Sequence, residues 1–113
     1  MKKLAVILGF ATFSAMTAAA GQWTGYISDT KCAAENSKAT SAAEWIKPAM
    51  FESCVKMCVK NGSPAVFLTP ENKIVKIDAA SMEKVTPMLG HKVTVTGKLD
   101  DGVLKIDTIA DAR

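Results

Sequence analysis

Residues 91–109 constrain the fold more than any other stretch of this chain. His91–Leu99 (HKVTVTGKL) alternates, with Val93 and Val95 facing one way and Lys92, Thr94 and Thr96 the other, the period of a half-buried strand. Asp100-Asp101-Gly102 follows as hairpin-turn chemistry, and Val103–Ile109 (VLKIDTI) returns as the partner strand. A chain of 113 residues built around such a hairpin is predicted to be one mainly β domain.

Three further strands precede it. Gln22–Asp29 (QWTGYISD) sets Trp23, Gly25 and Ile27 against Thr24, Tyr26 and Ser28, with Gly25 a candidate bulge or bend. Ala65–Thr69 and Lys73–Ile77 are apolar and β-branched, joined by the turn residues Pro70-Glu71-Asn72. Asp78–Leu89 has helix-like apolar spacing until Pro87, and Gly90 closes it. Lys31–Thr40 is polar, alanine-rich and aperiodic, and reads as a loop. Ser41-Ala-Ala-Glu44 has capping-box spacing, and Pro48 divides two short helical pieces, the second ending at Asn61-Gly62. Five strands with a helical insertion at about 41–60 between the first two, and a short helix between the third and fourth, is the order of an OB-like small barrel.

The charge balance needs the N-terminus set aside. Met1-Lys-Lys, an apolar run over Leu4–Phe13 and Ala18-Ala-Ala20 form a secretory signal pattern over residues 1–20. The run is too short for a spanning helix of roughly 20 apolar residues. The domain is therefore expected to be 21–113, cleaved near Ala20 and located in the periplasm or the medium, with no transmembrane segment. Of the 14 Lys+Arg and 11 Asp+Glu that give +3, Lys2 and Lys3 fall in the signal, so residues 21–113 carry 12 against 11, or +1. Without a basic groove interleaved with exposed aromatics, no nucleic-acid partner is expected. Trp23, Trp45, Phe51 and Phe67 read as packing residues.

Cys32, Cys54 and Cys58 are the chemistry-bearing set. In an oxidising compartment a pair of thiols defaults to a disulfide. Cys54 and Cys58, at i and i+4, would strain a helix if bridged, so Cys32 with either is the favoured staple. Closing that loop contributes about 3 kcal/mol in the chain-entropy model. The competing reading is a soft-donor site for copper or zinc built from Cys32, Cys54 and Cys58 with Met57 nearby. A third is thiol–disulfide exchange, although C-x3-C is not the C-x2-C redox motif. His91, the sole histidine, reads as a solvated turn residue, and Asp100-Asp101 as a hairpin tip. No G-x-S-x-G, H-E-x-x-H or phosphate-loop pattern occurs. No catalytic residue and no cofactor other than the copper or zinc alternative is indicated. The expected role is a non-catalytic binding or envelope-associated domain.

Gly25-Tyr-Ile-Ser-Asp29-x-x-Cys32, Cys54-x3-Cys58-Val-Lys-Asn-Gly62 and Val93-Thr-Val-Thr-Gly97 together resemble a group of small exported bacterial proteins of unknown function. Their pattern is G-x-I-S-D-x-x-C, C-x3-C-V-K-x-G and V-x-V-T-G, and it spans most of residues 21–113. The resemblance implies an OB-like barrel and no particular activity. Where that group often carries a histidine shortly after the first cysteine, this chain has Asn36, which weakens a carried-over Cys/His metal site.

Overall fold

Alternating residues of five strands supply the barrel interior in the computed structural model, which describes residues 19–113. The strands are β1 (Ala19–Asp29), β2 (Ala65–Leu68), β3 (Ile74–Ile77), β4 (Lys92–Asp100) and β5 (Val103–Asp111). They close in the order β1-β2-β3-β5-β4, with β4 returning to β1, the OB-type barrel expected of the strand order. All seams are antiparallel except β3–β5, a parallel contact of two residue pairs, Lys76 with Val103 and Ile77 with Leu104. Ser81 reinforces this short seam from outside the sheet, its hydroxyl accepting the Ile106 N–H at 2.9 Å. The expected signal segment lies outside the described residues except for Ala19 and Ala20, which begin β1 opposite Leu99 and Lys98. Among the described residues, no helix is long and apolar enough to cross a membrane.

Val93, Val95, Leu104 and Ile106 point inward with Ile27 and Phe67, and all are buried. Two glycines let strands approach where a side chain could not fit. A Cβ on Gly25 would stand 2.4 Å from the Leu68 carbonyl oxygen, and one on Gly97 would stand 2.0 Å from that of Lys105. The sheet irregularity falls between Thr96 and Gly97. Gly25, read as a bulge or bend, stays in register with Val93, and it serves close approach.

The helical pieces close the barrel. Between β3 and β4, Ala79–Ser81 and Thr86–Met88 are 3-10 turns flanking a single α-turn, α3 (Met82–Val85), which buries Val85. The short helix expected there is present, ending before Pro87. Between β1 and β2, Thr30–Glu35 forms α1, where a loop was expected. Ala42–Glu44 is one 3-10 turn, and α2 (Pro48–Lys60) carries Pro48 in its first turn. The capping interaction is displaced by one residue: Glu44 accepts from the backbone N–H and hydroxyl of Thr40, and Ser41 makes no side-chain cap.

Helix α2 buries Phe51 and Val55 against the barrel core, with Val59 partly buried on the same side. Phe51 meets Tyr26 and Trp45 edge-on, at centroid separations of 6.1 and 5.5 Å. Asn72 ties this insertion to the β2–β3 turn. Its Oδ1 accepts Trp45 Nε1–H at 2.8 Å, and its Nδ2 donates to the carbonyls of Asn36 and Ala39 at 2.9 and 3.0 Å.

Candidate metal centre

With Phe51 and Val55 committed to the core, helical spacing turns the neighbouring stripe of α2 away from the barrel. That stripe carries Met50, Cys54, Met57 and Cys58. Met50 and Met57 are 72% and 61% exposed, Cys54 is exposed and Cys58 half-buried. The third cysteine arrives from α1. Asp29 ends β1 in extended conformation and caps α1, its Oδ2 accepting the N–H groups of Lys31 and Cys32 at 3.0 and 3.2 Å. The Ser63 hydroxyl donates to the same oxygen at 2.8 Å. The first turn of α1 is thereby fixed, and Cys32 and Ala33 are buried.

Cys32 consequently faces both thiols of α2. Its Sγ lies 3.2 Å from that of Cys54 and 3.7 Å from that of Cys58, and all three sulfurs lie within 4.8 Å of one another. The expected disulfide staple is not formed: the three cysteines are free thiols, since a bridge requires a sulfur separation of about 2.05 Å. Cys32 lies between the two thiols rather than docked on one. Its thiol is pushed strongly up, first by burial, then by hydrogen bonding to Cys54 and to the adjacent Asp29 carboxylate. Burial is also the main cause raising the Cys58 thiol. Asp29 itself is fully buried, and its Oδ1 has no hydrogen-bond partner.

The thiols are reached from two sides. An open depression of about 530 Å³ is lined by Ala49, Met50, Ser53, Cys54, Met57 and Cys58. A smaller one, about 200 Å³, reaches Cys32 and Cys54 past Trp45, Met50 and Phe51. Met57 thus shares a wall with two of the thiols at the rim, while the convergent donors are the three cysteines. Met50, four residues before Cys54 on the same stripe, borders both depressions and was not among the expected donors.

The remaining residues of interest lie elsewhere. Asn36 closes α1, donating from Nδ2 to the Cys32 carbonyl at 2.9 Å, a structural bond and not a ligand position. His91 is not a solvated turn residue. Its side chain is 14% exposed and clamped between Glu52 Oε2 at 3.3 Å and Asp111 Oδ2 at 3.2 Å, because Gly90 packs directly onto the Glu52 backbone.

Three convergent sulfurs suit soft cations. With a metal–sulfur bond of about 2.3 Å, a tetrahedral centre spaces its thiolates about 3.8 Å apart, close to the Cys32–Cys58 separation. No protein-family model matches the chain, and no curated protein or solved structure was found to be similar to it.

Proposed function

We propose that this protein is an exported, non-catalytic domain that binds a soft, thiophilic ion through Cys32, Cys54 and Cys58. The observation that carries the reading is the convergence of three sulfurs, from two helices, within 4.8 Å. Sulfur donors select soft ions, copper(I) above all, and also serve zinc. Three of them leave room at the open depression for an exchanging fourth group. The barrel acts as a rigid mount: β1 delivers Asp29 and so orients α1, while Phe51 and Val55 fix the rotation of α2. In this reading Met57 and Met50 form a soft rim along the approach to the thiols.

The reduced protein titrated with copper(I) against a competing chelator is expected to bind one ion per chain. The double variant Cys54→Ser, Cys58→Ser should lose that affinity; equal competition by both proteins would sink the proposal. Thiol–disulfide exchange is the second reading, favoured by the 3.2 Å contact of Cys32 with Cys54. Three alkylatable thiols in protein recovered from the periplasm would favour the ion site, and one would favour exchange. Recovery of the protein in the cytoplasmic fraction with residues 1–20 intact would count against export.

A further inference from the structure

The trithiol site has three properties that together restrict its guest more tightly than softness alone. The first is donor number. Among the described residues, the three sulfurs are the one group of three or more His, Cys, Asp or Glu ligand atoms that converge, and neither His91 nor Asp29 joins them. A tetrahedral ion therefore finds three of its four ligands here, whereas a trivalent centre with a lone pair needs three only.

The second is spacing. For bonds of about 2.3 Å, three thiolates stand about 4.0 Å apart around a planar trigonal ion and about 3.3 Å apart at the corner of a right-angled pyramid. Cys32 stands 3.2 Å from Cys54 and 3.7 Å from Cys58. The Cys32–Cys54 edge matches the pyramidal spacing and the Cys32–Cys58 edge falls between the two, so the edges at Cys32 need less opening for a pyramidal centre than for a planar one.

The third is charge. Cys32 is 5% exposed and lies against Asp29, whose carboxylate is fully buried with one oxygen unpartnered. Three thiolates leave two negative charges around copper(I) and one around zinc. Placing net negative charge beside a buried carboxylate is unfavourable in a medium of low dielectric. A trivalent centre bound by three thiolates is neutral.

From these we infer that the site takes up a neutral trivalent oxyacid of the arsenous type, capturing it as a pyramidal tris-thiolate of Cys32, Cys54 and Cys58; this rests on the soft-ion reading above. The step is a condensation. Three arsenic–oxygen bonds break and three arsenic–sulfur bonds form, and each departing hydroxide leaves as water with the proton of one thiol. Arsenic stays trivalent, no electrons move and no net proton is released. The thiols react from their neutral form, so each supplies the proton that leaves with a hydroxide. Cys54, exposed in the open depression, is positioned for the first exchange, and the buried Cys32 for a later one.

The test is anaerobic titration of the reduced protein with arsenite, followed by intact mass and alkylation. One arsenic should be gained with loss of three hydrogens, all three thiols should resist iodoacetamide, and a weakly buffered indicator should register no proton release. Cys54→Ser, at an exposed position, is expected to keep the circular dichroism of the parent and to weaken binding at least about tenfold. An adduct that leaves one thiol alkylatable, or full affinity in folded Cys54→Ser, would overturn the inference. Copper(I) binding that needs all three cysteines, with no arsenite uptake, would overturn it and leave the soft-ion reading standing. Failure of both ions would remove both.

Discussion

The carboxylate of Asp29 caps the helix that carries Cys32, its Oδ2 accepting the Cys32 N–H at 3.2 Å and the Lys31 N–H at 3.0 Å. The end of one barrel strand thus sets the position of the buried thiol. Asp29→Ala removes this cap and the acceptor of the Ser63 hydroxyl, and is expected to destabilise the protein by about 1–3 kcal/mol. Asp29→Asn keeps an acceptor oxygen and should cost less. Urea unfolding of the three proteins measures the order; an alanine variant as stable as the parent would mean that the cap does not hold α1.

The same arrangement orders the thiols for oxidation. Cys32 is nearer to Cys54 than to Cys58, and Cys54 with Cys58 would have to bridge one face of an intact helix. Treatment with diamide is expected to give the Cys32–Cys54 disulfide and leave Cys58 alkylatable, with loss of soft-ion binding. Peptide mapping reads the pairing, and a dominant Cys54–Cys58 bridge would show that α2 unwinds more readily than its packing implies. The bridge should also stabilise the domain by roughly 3 kcal/mol through loop closure.

Glu52 lies where α2, His91 and Arg113 meet. Its carboxyl is held below the ordinary value of 4.5, first by the hydrogen bond from Lys56 and then, against some desolvation, by His91. A depressed carboxylate contributes stability that is present above its unfolded value and lost as pH falls through the folded one. Between pH 7 and pH 3 the parent is therefore expected to lose more stability than Glu52→Gln. The difference should be small, because the group is solvated. Thermal melts across that range provide the check, and parallel losses in the two proteins would argue against the linkage. Asp111 shifts in the same direction, chiefly through the Arg113 backbone N–H, so some pH dependence should survive in the variant.

The barrel was legible because its signals are local and agree with one another. Val93 and Val95 alternate with solvent-facing threonines, and the hairpin turn places Asp101 and Gly102 at positive φ, as the Asp-Gly pair indicated. Helix α1 was not legible, since six residues of Thr-Lys-Cys-Ala-Ala-Glu carry no periodicity. It exists because Asp29 caps it and because Cys32 and Ala33 are buried where it packs on α2 and the barrel. The cysteines could be grouped from sequence, yet their convergence depends on that unread helix. His91 was misjudged for a related reason: its two carboxylate partners are 39 and 20 residues away. Three residues of the run from Gly25 to Cys32 have a geometric role: close approach at Gly25, the cap at Asp29 and the thiol at Cys32.

Asn72 joins turn and insertion in a way that separates backbone from side-chain effects. Its φ of 70° lies in the left-handed region, and its amide makes all three bonds to Trp45, Asn36 and Ala39. Asn72→Gly keeps the backbone conformation at little steric cost while deleting those bonds. Removing them leaves a half-buried indole N–H and two carbonyls to find new partners, an expected cost of about 1–3 kcal/mol. Because the lost bonds hold the segment between α1 and α2, the variant should also bind copper(I) more weakly, although none of its changed atoms belongs to the thiol cluster. Tryptophan emission should shift to the red as the Trp45 contact opens. A glycine variant with unchanged stability, emission and copper affinity would show that the turn does not brace the thiol site.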